Sequence, residues 1–298
     1  MRHTIISIGE ILFDIYPGGK KIGGAPFNFM YHINQLTGGS YIVSRIGQDE
    51  LGKEIFDFFK ENQITTEFIQ SDNSLLTGIA IPKLNRKKVP EWYIEENRAY
   101  DRIELNNKLT SLVEKSNCLY FGTLAQRNEY SRKTITSLFQ KNDVKYFCDL
   151  NIRQNHYSIP VLETSLQNAN VVKLNEQEFE LVIKLFYESK TNEDEIVKSI
   201  IQDYKLDILC ITKGEKGAVI HNGSNKSSFK CTPSCVVDTV GAGDAYSSIL
   251  CLGYLRNWDI HKINKIASEF AAEIVKIKGA LPEDNSFYEK YKELFQNE

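Results

Sequence analysis

Cys235-Val236-Val237-Asp238-Thr239-Val240-Gly241-Ala242-Gly243-Asp244 joins an apolar, strand-like run to a helix that begins near Ala242 and runs to about Arg256. Small residues at such a junction leave the first backbone N–H groups of the helix open. Its partial positive charge then suits a phosphate or a developing oxyanion. Asp238, Thr239 and Asp244 fit that end in two ways. They can cap the helix, because Asp and Thr accept hydrogen bonds from first-turn N–H groups, or Asp244 can act as a base beside an anion site. Spacing alone does not separate the two.

Outward from this junction, short apolar runs alternate with helical spacing along the whole chain, the pattern of strands that cross over through helices into a mainly parallel sheet. Ile5, Ile6 and Ile8 predict a buried strand, followed by a helix over 25–36 and a strand over 41–46. Leu51, Ile55, Phe58 and Phe59 then mark one apolar helix face. Strands are expected at 118–121, 145–150, 171–174 and 207–212, with helices at 175–184 and 192–204. A last helix, over 261–276, carries the stripe Ile263, Ile266, Ala267, Phe270, Ala271, Ile274 and Val275. Between 77 and 102 the pattern changes to an antiparallel hairpin with the charged tip Arg86-Lys87-Lys88, a shape suited to covering a site. No linker, repeat or low-complexity tract interrupts the chain, so residues 1–298 read as one domain with an insertion.

The 298 residues are 42% hydrophobic and 25% charged, ordinary values for a globular α/β chain. Lys and Arg total 36 against 39 Asp and Glu, and the net charge of -3 offers no global attraction to nucleic acid or an anionic membrane. No window approaches 18 uncharged apolar residues, and the N-terminal run meets Glu10 and Asp14 where a leader would have its cleavage site. Cys118, Cys148, Cys210, Cys231, Cys235 and Cys251 are scattered and predict buried free thiols, hence a cytoplasmic setting. Cys231 and Cys235 have neither a CxxC spacing nor a nearby His pair, which argues against zinc.

Asp-Thr-x-Gly-Ala-Gly-Asp over 238–244 resembles the second signature of the ribokinase-like, or PfkB, carbohydrate kinases. The resemblance implies a three-layer α/β fold with a mainly parallel central sheet flanked by helices, and a small β lid near 12–24 and 73–102. It implies that Asp244 takes the proton of the attacking sugar hydroxyl, and that Gly241, Ala242 and Gly243 form the anion hole. Such roles match phosphoryl transfer, which asks for positioning, charge stabilisation and a base in hydrogen-bond reach. Gly23-Gly24-Ala25-Pro26-Phe27-Asn28, followed by Gly47-x-Asp49-x-x-Gly52, resembles the first signature and implies sugar binding by Asp14, Gly23, Gly24 and Asn28. A turn and a helix cap are the structural readings of the same residues.

Asn175-Glu176-Gln177-Glu178 resembles the family's Asn-x-x-Glu motif, which implies that Asn175 and Glu178 organise Mg²⁺, partly through water; an N-capped helix is the other reading. Thr212-Lys213-Gly214-Glu215-Lys216-Gly217 resembles the nucleotide-side turn and implies ATP contacts at Asn175, Thr212, Lys213, Gly214, Gly217, Gly241, Gly243 and Ala271. Asp149-x-Asn151-x-Arg153 resembles the family's strand end, with Arg153 toward the substrate. Trp92 and Arg102 of the hairpin are further substrate-binding candidates, and a monovalent cation such as K⁺ is a possible activator by the same resemblance. No GxxxxGK[ST] occurs, and the first strand lacks GxGxxG, which argues against a P-loop and a dinucleotide enzyme.

Within the family the segments resemble fructokinases, implying transfer from ATP to fructose. Phe27 stands where those enzymes often have Ala, so it is expected to narrow the sugar pocket, and Tyr246 stands where Phe is usual. Another ketose, ribose, a nucleoside or a sugar acid are the alternative acceptors, a sugar acid requiring a cation such as Arg98, Arg102 or Arg153. A non-catalytic sugar- or nucleotide-binding regulator is the remote alternative. Ile79, Ile81, Trp92 and Ile94 suit a homodimer through the lid.

Overall fold

A computed structural model of the chain describes residues 3–84, 90–139, 143–188, 192–223 and 225–296; the tip Arg86-Lys87-Lys88 lies outside them. Strands β1 (Ile5–Ile8), β4 (Ser40–Gly47), β5 (Ile69–Asp72), β8 (Cys118–Gly122), β9 (Lys145–Asp149), β10 (Val171–Asn175), β11 (Ile208–Thr212), β12 (Ala218–Asn222) and β13 (Asn225–Phe229) form one sheet. Its order is β13-β12-β11-β10-β9-β8-β1-β4-β5. Pairing is parallel from β11 to β5, and β12 and β13 close one edge antiparallel.

Alternate residues of each strand feed different cores, as the two-residue repeat of a strand dictates. Cys118 and Tyr120 join a cluster built with helices α1 (Ala25–Thr37), α2 (Glu50–Glu61), α8 (Ala242–Leu255), α9 (Ile260–Ile274) and α10 (Glu289–Gln296). Leu119 and Phe121 join the opposite cluster, with α3 (Asn107–Glu114), α4 (Glu129–Ser137), α5 (Ile159–Asn168), α6 (Glu176–Phe186) and α7 (Glu193–Tyr204). Two helical layers therefore sandwich the sheet.

A second sheet, β3-β2-β6-β7, is formed by β2 (Leu12–Tyr16), β3 (Gly19–Gly23), β6 (Gly78–Leu84) and β7 (Pro90–Ile94). Its base is fixed by the Gly47-x-Asp49-x-x-Gly52 segment. Asp49 Oδ1 caps α2 by accepting from Gly52 N at 2.8 Å, and it also accepts from Thr77 Oγ1 at 2.6 Å. Asp49 Oδ2 accepts from Thr77 N at 2.8 Å, and Thr77 Oγ1 accepts from Gly47 N at 3.1 Å. Thr77 is fully buried at the foot of β6, so Thr77→Val leaves Gly47 N–H unpaired and is expected to destabilise the fold by about 1–3 kcal/mol, read as a lower denaturant midpoint.

Several expectations change here. Cys235–Val237 is not a strand: Val236 and Val237 are 62% and 60% exposed, and Val237 N and Asp238 N donate to Val275 O at the end of α9. Phe27 does not narrow a sugar pocket, because it is buried among Tyr31, Phe58 and Phe59. One residue is about 100° of helix rotation, so Phe27 and Asn28 face different ways. Ile94 is buried with Leu12, Ala80, Tyr100 and Leu124, which removes it from the outer face offered for a dimer. Cys118, Cys148, Cys210 and Cys251 are buried, but Cys231 is half-buried and Cys235 exposed, since both lie in the coil before α8.

Candidate active site

β1 pairs with β4 on one side and β8 on the other, so the chain winds outward from it in both directions. Ligands of open α/β sheets sit outside the carboxyl ends of the strands at such a point. Gly9 and Glu10 follow β1, Asp149 ends β9, Asn175 ends β10 and Thr212 ends β11.

Helices α1 and α8 start beside this edge. Gly24 (φ 108°) precedes α1 and Gly241 (φ 78°) precedes α8, and neither end carries a side-chain cap. Helices α2 to α7 and α9 all have one. The capping reading of the 238–244 string is therefore not what the fold adopts. Asp238 accepts from Val240 N at 3.0 Å and from Gly279 N at 3.0 Å, while Asp244 Oδ2 accepts from Asn28 Nδ2 at 2.7 Å. That last bond links the two uncapped helix starts. The glycines are sterically required: a Cβ on Gly241 would lie 2.3 Å from Ala280 Cβ, and one on Gly24 would lie 2.5 Å from Glu10 O. A Cβ on Gly23 would meet Asp14 Oδ2 at 2.6 Å.

Three carboxyl groups share the space. Burial pushes Asp244 up to about 6; Asn28's hydrogen bond opposes that, Asp149 adds to it, and Lys173 and Arg153 counter it. Burial also raises Glu10 to about 7, its own backbone hydrogen bond opposing and Asp244 adding to the rise. Asp14 rises to about 7 through burial and then the nearby charge of Asp244. Arg153 is exposed, and its charge reaches all three carboxyls.

Lys173 was not among the residues expected here. Buried in β10, it donates to Asp149 Oδ2 at 2.9 Å and Oδ1 at 3.1 Å, and Nζ lies 3.0 Å from where a Cβ on Gly243 would stand. Asp149 also accepts from Ser247 Oγ of α8 at 2.8 Å and Tyr120 OH at 3.2 Å. The signal for Lys173 was a lone cation inside the apolar run Val171-Val172-Lys173-Leu174.

A cavity of about 480 Å³ adjoins α8 and is lined by Asn175, Thr212, Gly214, Gly217, Ala242, Gly243 and Ala271, which the sequence had nominated. Cys231 to Pro233, Val236, Tyr246, Ser268 and Val275 are among its other lining residues. Apart from Tyr246 on α8, these lie on the coil before α8 and along α9, and no motif marks them. Lys213 turns to Glu193 at 3.3 Å instead. Asn175 and Glu178 form a reciprocal cap: Glu178 N donates to Asn175 Oδ1 at 2.9 Å and Asn175 N to Glu178 Oε2 at 2.8 Å. Glu178 Oε1 accepts from Ile152 N at 2.7 Å, tying the ends of β9 and β10 together.

In the second sheet, Trp92 of β7 packs edge-on against Tyr16 of β2, with centroids 5.2 Å apart. Arg102 is exposed over the Tyr130 ring at 5.5 Å and is not brought to the carboxyl cluster. The arginine buried there is Arg127, which donates to both Asp101 oxygens at 2.8 and 2.9 Å. It follows no motif.

The chain resembles known proteins along most of its length. It is 29% identical over 300 residues to an uncharacterized sugar kinase of Pyrococcus horikoshii, covering 93% of this chain and 91% of that protein. The crystal structure of that kinase, determined also in complex with ATP, superposes with a TM-score of 0.78 over 93% of each chain. An ATP-dependent 6-phosphofructokinase of Thermoanaerobacterium thermosaccharolyticum is 24% identical over 94% of this chain and 90% of its own. A fructokinase from Xylella fastidiosa, solved with bound ATP, shares the fold with a TM-score of 0.81 at 18% identity over 100% of both chains. The pattern of the pfkB family carbohydrate kinases matches residues 18–285, and together with the ribokinase-like α/β fold this establishes that the chain belongs to that family of sugar kinases.

Proposed function

We propose that this sugar kinase transfers the γ-phosphoryl group of ATP to the 6-hydroxyl of fructose, with Asp244 as general base. The observation that carries the reading is the position of Asp244, a buried carboxylate on the first turn of an uncapped helix between the nucleotide-sized cavity and the carboxyl cluster. Asn28 holds the carboxylate through Oδ2, leaving Oδ1 to accept the proton of the attacking hydroxyl. No side chain caps the start of α8, so the amides of Gly241 and Gly243 are left for the charge that develops on the transferred group; Ala242 N donates to Thr239 O at 3.4 Å, and Lys173 adds a cation behind Gly243.

The residues fit Mg²⁺ through water better than by direct ligation. Both Glu178 oxygens already accept backbone N–H groups, and no cluster of three acidic, His or Cys side chains occurs among the described residues. Mg²⁺ keeps several waters and takes phosphate oxygens readily, and when bound it would neutralise phosphate charge. Asn175 and Glu178 are the residues that would orient that hydrated ion.

A neutral acceptor is favoured by charge. Glu10 and Asp14 both feel the charge of Asp244, so the cluster is acidic, and the buried cation Arg127 is already matched by Asp101. Arg153 supports the competing reading, a sugar acid or sugar phosphate, because its exposed guanidinium makes no ion pair among the described residues. A panel of hexoses, pentoses, sugar acids, sugar phosphates and nucleosides with Mg-ATP separates the two. Fructose is expected to give the highest kcat/KM; an anionic sugar or a nucleoside in first place overturns the assignment.

A further inference from the structure

We propose that Arg127 and Glu10 form a hydroxyl-recognition subsite for the acceptor at the base of the lid, an inference that rests on the sugar-kinase reading above. The Arg127 side chain is 6% exposed and is held on one edge only. Nε and Nη2 donate to Asp101, and Nη2 also donates to Glu95 O, just past β7, at 2.6 Å. The guanidinium lies over the Tyr100 ring at 4.9 Å. On its other edge, the buried Nη1 has no hydrogen-bond partner among the described residues, and neither has the Tyr100 hydroxyl.

An unpaired guanidinium N–H in the interior is unfavourable, so the fold is complete only when an oxygen meets it. Glu10 is buried nearby: a Cβ on the preceding Gly9 would lie 3.3 Å from Ala125 Cβ, two residues before Arg127, and both Arg127 and Tyr100 feel the charge of Glu10. Its Cγ lies 3.2 Å from where a Cβ on Gly24 would stand, which places the carboxyl beside the diglycine and on the same cluster as Asp244. A hydroxyl between the two accepts from Arg127 Nη1 and donates to Glu10, a combination that one O–H group satisfies and an ether or a methylene does not. A carboxylate or phosphate fits poorly, since Asp101 already neutralises the guanidinium and Glu10 repels an anion. Because the same guanidinium grips Glu95 O, the contact also ties acceptor occupancy to the return strand of the lid.

The test is kcat/KM for fructose and each of its monodeoxy analogues in the parent, Arg127→Lys and Glu10→Gln. Arg127→Lys keeps a cation against Asp101, and Glu10→Gln keeps size, so one fold-preserving variant suffices if the other melts early. The parent is expected to reject one analogue by ~10-fold or more. Both variants shrink that ratio toward one at the same position, with KM for ATP unchanged. A purely structural role lowers all acceptors in proportion and preserves the ratio, which overturns the subsite, as does a parent that discriminates at no position. A parent that phosphorylates no sugar overturns the sugar-kinase reading itself, and the subsite with it.

Discussion

Asp244→Asn is expected to lower kcat by roughly 10²- to 10⁴-fold, the scale of a lost general base, while Kd for ATP stays at the parent value. Geometry favours a clean substitution. Asn28 Oδ1 is buried without a partner, so an amide flip lets it accept from the new NH₂ group. Burial holds Asp244 near 6, above the ordinary carboxylate value, so its ionised form is disfavoured in the fold. Removing that charge is therefore expected to leave Tm at or above the parent's. In the parent, kcat/KM falls as pH drops through about 6, because a protonated Asp244 cannot take the hydroxyl proton. The residual activity of the Asn variant lacks that acidic limb. Near-parental turnover, or an unchanged limb, removes Asp244 from the role of base.

Lys173→Met is expected to destabilise the fold by about 3–5 kcal/mol, because it strands the fully buried Asp149 carboxylate without its cation. Ser247 Oγ and Tyr120 OH still donate to Asp149, but neither carries charge. Lys173 also draws down the Asp244 carboxyl while Asp149 pushes it up. Its loss therefore moves the acidic limb of kcat/KM to higher pH. Adding Asp149→Asn removes the stranded charge and is expected to recover most of the stability, as replacing both members of a buried pair does. Urea unfolding and a pH–rate profile read the two effects separately. A single variant as stable as the parent shows that the pair does not support the α8 start.

Much of the framework was legible because local spacing encodes it. Ile5, Ile6 and Ile8, the run 171–174 and the stripe on 261–276 each declare an element by period, and the structure forms β1, β10 and α9 there. The glycines of 241 and 24 were legible for a related reason: only a residue without Cβ fits where Ala280 and Glu10 crowd the backbone. Misreadings came where composition imitates an element. Val236 and Val237 resemble strand residues, yet nothing in the sheet pairs with them, and their backbone instead meets the end of α9.

The site divides in the same way. By itself the sequence determined the 238–244 string, the diglycine and the order of strands and helices, since each is a contiguous pattern with a local physical meaning. It could not choose between cap and base for Asp244, because both need a carboxylate on the first turn. Tertiary structure removed the cap reading, by bringing Asn28 from a helix 216 positions away onto Asp244 and leaving both helix starts uncapped. It also decided which cations are buried. Arg102 is exposed over Tyr130, whereas Lys173 and Arg127 are buried against Asp149 and Asp101, pairings between residues 24 and 26 positions apart that no local period records. A buried charge is stable only beside its partner, and where that partner lies is a property of the folded chain.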